Sequence, residues 1–210
     1  MATVDQSVQW VIDNAVNISI DGRGVVASTI SRSGVVRAVS RGGRTWKFVV
    51  TPAPSTVDDA RPYLARLDQV DRIQVANIDF NRPLFDDFFG YTGDASGTFT
   101  GDTSVGNNNQ LEITASSYSS GKVVKGGDYI QIGPTGNLYQ VVDDPADGNG
   151  VTVTVNRPID EASGSYTLNV GLDCTVDVIC VERPTWTITP AGANHLIQWS
   201  GDFVFYEDRT

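Results

Sequence analysis

A nucleophile–base relay needs a histidine or another base beside an activated Ser or Cys, and this chain has one histidine, His195, and two cysteines, Cys174 and Cys180. His195 lies in PAGANHLIQW, a turn followed by a strand pattern, and no G-x-S-x-G elbow occurs, so a structural His195 is the expectation. CTVDVIC places both cysteines on one face of a single strand. Two such positions lie roughly 20 Å apart, beyond disulfide reach, which predicts buried reduced thiols. No Cys/His cluster has zinc spacing. Carboxylate pairs recur at Asp58/Asp59, Asp86/Asp87 and Asp143/Asp144. A glycosidase needs two carboxyl groups converging at about 5–10 Å, whereas neighbours on a strand point to opposite faces. In DDPADGNG, Asp143, Asp147 and Gly148 mimic three positions of a calcium loop. Pro145 stands where a ligand is needed, Thr154 takes the place of the closing Glu, and flanking helices are missing, so an Asp/Gly turn is expected. In IDGRGVVAS, Gly22 and Gly24 begin a dinucleotide-like pattern, but Ala27 replaces the third glycine and no helix pattern follows, which predicts a hairpin turn. The reading is of a protein with no catalytic, cofactor or metal residues, and not an enzyme.

Recognition through aromatic rings is the remaining chemistry. Tyr118, Tyr129, Tyr139 and Tyr166 fall in the polar middle of the chain. Within GGDYIQIGPTGNLYQVV, Tyr129 and Tyr139 sit on the two arms of a hairpin pattern, where they would face each other and form a glycan or partner contact. The competing structural reading is that such tyrosines cover strand pairs.

These residues need elements to hold them. VNISIDG (16–22), GVVRAVSRGG (34–43) and TWKFVVTP (45–52) alternate as strands between glycine-rich turns, with Trp46, Phe48 and Val50 on one face. One segment has helical spacing: Ala60, Leu64 and Leu67 predict a helix over about 59–71, capped by Asp58 or Asp59 with Pro62 in its first turn, and the only substantial one. From about 92, GTFTG, QLEITAS, DYIQIG, LYQVVDD, GVTVTVNRPI and YTLNVG read as evenly spaced strands of a small antiparallel barrel or sandwich. The tail returns to aromatic alternation, with Phe203 and Phe205 on one face. The expected fold is therefore mainly β, with a discontinuous β-sandwich domain over 1–90 plus 178–210 and an inserted acidic β-barrel domain over 91–177.

Charge divides the same way. The 210 residues carry a net charge of −10. Between 91 and 177 eleven acids face three bases, Lys122, Lys125 and Arg157, while residues 1–50 hold six bases and three acids. General electrostatics would not wrap nucleic acid around such a chain. The N-terminus shows no signal peptide pattern, and no apolar run approaches the roughly 20 residues that span a bilayer. A soluble cytosolic product without membrane insertion is expected.

The layout as a whole resembles the distal tail, or baseplate hub, proteins of tailed bacteriophages. The resemblance rests on the paired-strand block RSGVVRAVSRGGRTWKFVVTPAP, the helix DDARPYLARLDQV, the insert GKVVKGGDYIQIGPTGNLYQVVDDPADGNGVTVTVNRPI and the aromatic final strand DFVFYED. Lys125-Gly126-Gly127-Asp128-Tyr129 and Leu138-Tyr139-Gln140-Val141 open the two hairpin arms. Asn156-Arg157-Pro158-Ile159 stands where the family has a P-P-L-R-like strand end, without the second proline and trailing arginine. It covers about residues 8–207. The resemblance implies a structural virion protein, assembled in the host cytoplasm, whose copies form a closed and usually hexameric ring, with a tail-tube-like sandwich as the ring-forming domain. The ring would join the tail tube protein to baseplate hub or tail-tip proteins, and DNA would pass its lumen without specific binding. Two other readings compete with it: another tube or tube-completion subunit, and a carbohydrate-binding module acting in host recognition.

Overall fold

The structure is a computed structural model that describes residues 3–22, 24–30, 36–67, 75–105, 107–133, 136–191 and 194–209, with backbone alone for 24–30 and 36–44. It is mainly β, with antiparallel sheets and three short α-helices among the described residues. None of these helices is long and apolar enough to cross a membrane. The chain forms two compact units, 1–78 with 177–210 and 79–176.

In the first unit, α1 (Val4–Asp13) starts at a reciprocal cap, and sequence reading missed it. Thr3 Oγ1 accepts the Gln6 N–H at 3.2 Å while Gln6 Oε1 accepts the Thr3 N–H at 2.9 Å. The helix buries Val8, Val11 and Ile12, one helical face, and lies against β1 (Ala15–Asp21), β4 (Lys47–Pro52) and α2 (Val57–Leu67). So the helix expected at 59–71 is neither the only substantial one nor placed as expected. It starts two residues earlier, where the Thr56 hydroxyl accepts the Asp59 N–H at 3.2 Å. Pro62 therefore lies inside the helix and not in its first turn. The part of that expectation over 68–71 falls outside the described residues.

A five-stranded sheet has the order β1–β4–β16–β13–β6, with β6 at Val75–Asp79, β13 at Thr175–Glu182 and β16 at Phe203–Glu207. Trp46, Phe48, Val50, Phe203 and Phe205 are buried as their alternation requires. Gly22 and Gly24 do not join two strands of a hairpin: β2 (Gly24–Ile30) pairs with β3 (Val36–Arg44) and β1 pairs with β4. Gly22 is needed for close approach, because a Cβ there would meet the Trp46 ring at 2.7 Å. A three-stranded sheet joins β5 (Ser55–Thr56), β14 (Trp186–Ala191) and β15 (Asn194–Trp199). Ile197 on β15 packs with Ala60 and Leu64 of α2.

In the second unit all six predicted strands form: β7 (Ser96–Asp102), β8 (Gln110–Ser117), β9 (Tyr129–Ile132), β10 (Leu138–Gln140), β11 (Val151–Thr154) and β12 (Ser165–Val170). They make one antiparallel sheet, β10–β9–β12–β7–β8–β11, curled into a half-barrel. Its two outer strands meet beyond their ends, through the Val141–Val155 bridge and the Val142 N–H donated to the Thr154 carbonyl at 2.9 Å. Leu111, Ile113, Ile130, Ile132, Val153 and Leu168 fill the inside. Residues 79–90 pack with this unit because Phe80 and Phe89 stack at 3.9 Å, and Phe89 lies 4.5 Å from the Tyr129 ring. α3 (Asp86–Phe89) brings Phe89 into that cluster.

Candidate functional site

The hairpin of β9 and β10 carries the residues that looked most like a site, and the fold uses them internally. Tyr129 pairs with Gln140 and Tyr139 with Ile130, so the two tyrosines lie on opposite faces and do not face each other. Tyr129 is 2% exposed and sits under Phe88 and Phe89, and burial pushes its phenol up to about 12. Tyr139 is fully buried in the half-barrel core. Its phenol is raised by burial first, then by the Glu161 carboxylate that accepts its proton at 2.6 Å. Neither ring presents a surface on which a ligand can stack, which corrects the expected contact at Tyr129 and Tyr139. Both faces of a four-residue strand are covered here, one by α3 and its neighbours and the other by the sheet's own interior. Alternation along the strand cannot reveal that.

Asp128 follows the same logic. The carboxylate is buried and accepts the Thr92 N–H at 2.9 Å, the Thr92 hydroxyl at 2.6 Å and the Lys125 N–H at 2.8 Å. Gln131, next along β9 on the Tyr129 face, uses its whole amide. Nε2 donates to the carbonyls of Gly136 (3.0 Å) and Thr175 (2.9 Å), and Oε1 accepts from Asn169 Nδ2 (3.1 Å) and the Thr175 N–H (3.2 Å).

The other chemical candidates resolve into structural parts. Asp58/Asp59 and Asp86/Asp87 stand in the first turns of α2 and α3, where acidic side chains complement the helix dipole. Asp144 accepts the Gly126 N–H at 2.7 Å and pairs with Lys122 at 2.9 Å, and both partners hold its carboxyl below the usual range, the backbone N–H most. Asn149 closes that turn by clamping the Ala115 N–H and carbonyl at 2.8 and 3.0 Å. Among the described residues no group of His, Cys, Asp or Glu is arranged to hold a metal ion. His195 is exposed on β15 opposite Pro190. Both cysteines are free thiols. Cys174 is buried, with its Sγ 3.4 Å from the Asn169 carbonyl, and burial raises its thiol, as it raises that of Cys180 to about 11.

A cleft that the sequence did not announce opens on the second unit. It has a volume of about 180 Å³ and is lined by Thr103, Asn107, Asn108, Gln110, Ile159, Glu161 and Ser163. Its walls are Thr103 and residues 107–110 between β7 and β8 on one side and the 159–164 segment on the other, tied together by backbone and hydroxyl bonds. The Ile159 N–H reaches the Asn108 carbonyl at 2.6 Å, and the Thr103 hydroxyl donates to the Ala162 carbonyl at 2.9 Å. Glu161 is fixed by the Tyr139 hydroxyl and by the backbone and side-chain N–H groups of Asn137 at 3.2 and 3.3 Å. The run of three asparagines at 107–109 and the acidic pair Asp160–Glu161 were the signals in the sequence, and they lie about fifty residues apart in it.

In the first unit Ile188, Val181 and Tyr206 are exposed, and so is part of the sheet border. β1 and β6 are the outer strands of the five-stranded sheet, and they carry Val16, 68% exposed, and Val75, 43% exposed. Comparison with known proteins adds no family to this picture: no protein-family model matches the chain, and no curated protein sequence matches it.

Proposed function

We propose that the protein is a structural component of a bacteriophage tail, whose copies close into a ring at the distal end and join the tail tube to the baseplate or tail tip. The observation that carries this reading is the five-stranded sheet ending in outer strands, β1 and β6, with apolar side chains facing solvent. A border of this kind is a template for pairing with another chain, and a closed ring covers each copy's border with the next. In this reading the discontinuous unit is the tube-like sandwich, and the half-barrel, where eleven acids face three bases over 91–177, is the inserted barrel that docks neighbouring tail proteins. The layout of strands, helix and insert that resembles distal tail proteins supports the same conclusion.

Electron microscopy of the purified chain with light scattering tests it. The expected result is a ring with a central hole and a mass that is a whole multiple of 22.6 kDa, lost in the variant Val16→Glu. A single 22.6-kDa species at every concentration, with no rings on the grid, counts against the self-closing ring.

A further inference from the structure

We propose that the cleft between the β7–β8 turn and the 159–164 segment is a saccharide site that takes one neutral pyranose residue. The lining offers hydroxyls (Thr103, Ser163), carboxamides (Asn107, Asn108, Gln110), one carboxylate (Glu161) and one apolar patch (Ile159). Each class of ligand can be weighed against that set. An anion meets Glu161 and, in this lining, no lysine or arginine. A divalent cation, which wants several hard oxygen ligands with charge among them, finds one carboxylate, already held by three donors. An apolar ligand would strand the carboxamides without partners, at a cost for each. A ring of hydroxyls with a C–H face fits the rest of the lining: donors and acceptors for the exposed amides of Asn107 and Asn108, and Ile159 for the C–H face.

Size points the same way. Pockets for drug-sized ligands run to about 300–1,000 Å³, so a cleft of about 180 Å³ holds a single ring and not a nucleotide or a longer segment. The walls are set before any ligand arrives. Thr103 is held in both directions by Gly164, its hydroxyl accepting the Gly164 N–H at 3.0 Å and its own N–H donating to the Gly164 carbonyl at 2.9 Å, and Gln110 Oε1 holds the Asn107 N–H at 3.3 Å. A preformed site loses little ordering entropy on binding. The side chains of Asn107 and Asn108 are exposed and take no part in bracing the walls, so they are available to a ligand. This site is independent of the ring: either can fail while the other stands.

Saturation-transfer NMR on the full chain with glucose, galactose, mannose, N-acetylglucosamine and N-acetylneuraminic acid is the test. At least one neutral sugar should bind in the millimolar range, while the anionic N-acetylneuraminic acid should not. The double variant Asn107→Ala/Asn108→Ala should lose about tenfold or more in affinity, the loss of two neutral hydrogen bonds, with its thermal unfolding unchanged. The variant Asn17→Ala, an exposed position in the other unit, should bind as the parent does. Failure of every neutral sugar to bind overturns the proposal. So does binding that survives the double variant, or that favours the anionic sugar.

Discussion

Replacing Gln131 by methionine keeps the volume of the side chain and removes its amide, and the structure says what is lost. Gln131 is 2% exposed, and the four shortest hydrogen bonds of its amide run to Gly136, Asn169 and twice to Thr175. A thioether in its place would leave the Thr175 N–H and the Asn169 amide without their acceptor, and two carbonyls short of a donor. A buried donor that loses its partner costs about 1–3 kcal/mol, and a carbonyl less because its second lone pair can be served otherwise. The expected total is about 3–4 kcal/mol, near the low end for two donors plus two carbonyls because Asn169 and Thr175 are half-buried. The chain has two compact units, so a single melting curve can mix two transitions. Hydrogen exchange read by mass spectrometry separates them. Amides of β9 and β12 should lose protection by a factor on the order of 100 or more, while α1 and β4 stay as they are. Gln140→Met is the matched control on the same hairpin, since its half-buried amide makes a single side-chain bond, 3.3 Å to the Gly127 carbonyl, and should cost under about 0.5 kcal/mol. A cost below about 1 kcal/mol for Gln131→Met would refute the account of that amide as the brace of the hairpin.

Phe89→Ala, which empties a fully buried site between Phe80 and Tyr129, should cost about 3–5 kcal/mol in urea unfolding of the second unit; a loss under about 1 kcal/mol would mean that 79–90 does not pack there. Thr3→Ala removes the reciprocal cap of α1 and should cost about 1 kcal/mol, seen as faster exchange confined to the helix. Acid should act through the carboxylates held below their ordinary value: Asp94 by the Lys122 N–H and then Lys125, Asp102 by the Ser104 hydroxyl and then its N–H, Asp144 by the Gly126 N–H and then Lys122. Their contribution is present above about pH 4 and is lost as pH falls through the lower native values. The urea midpoint should therefore drop below about pH 4, and less steeply in Asp94→Asn. On the alkaline side Cys174 and Tyr129 are raised, so their contribution is whole below the unfolded values of 9.0 and 10.0 and is lost above them; a midpoint that rises between about pH 9 and 11 would contradict both burials.

Alternation made the strands of the second unit legible. Each of the six strand patterns became a strand because its apolar side chains fill one interior. The helix α1 was equally readable. Thr3 and Gln6 have capping-box spacing, and Val8, Val11 and Ile12 share one face, but the segment is short and its polar residues mask the period. Tyr129 and Tyr139 were not legible as core, because a strand's pattern tells which residues share a face and not whether the other face is also covered. The turn at 22–24 failed for a related reason. Glycines mark a place where the chain comes close to something, and at Gly22 that is the Trp46 ring, while β1 and β2 pair with other strands. The cleft could not be read at all, since a turn after β7 and a loop before β12 meet only through sheet register.

The most chemical-looking string of the chain is thus spent on holding itself in place, and its short strands explain why. β9 has four residues and β10 three, too few for ladder bonds alone to fix their register against slippage. Asp128 and Gln131 supply the missing specification, because a slip by one residue would bury a carboxylate and an amide without their partners. The same reasoning passes from Tyr139 to Glu161: the hydroxyl that anchors the core strand also sets the carboxylate at the cleft. Polar residues inside the hairpin therefore serve precision, while side chains such as Asn107, Asn108, Val16 and Val75, at turn ends and outer strands, face solvent. In such a fold recognition can change at those margins while the braced interior stays the same.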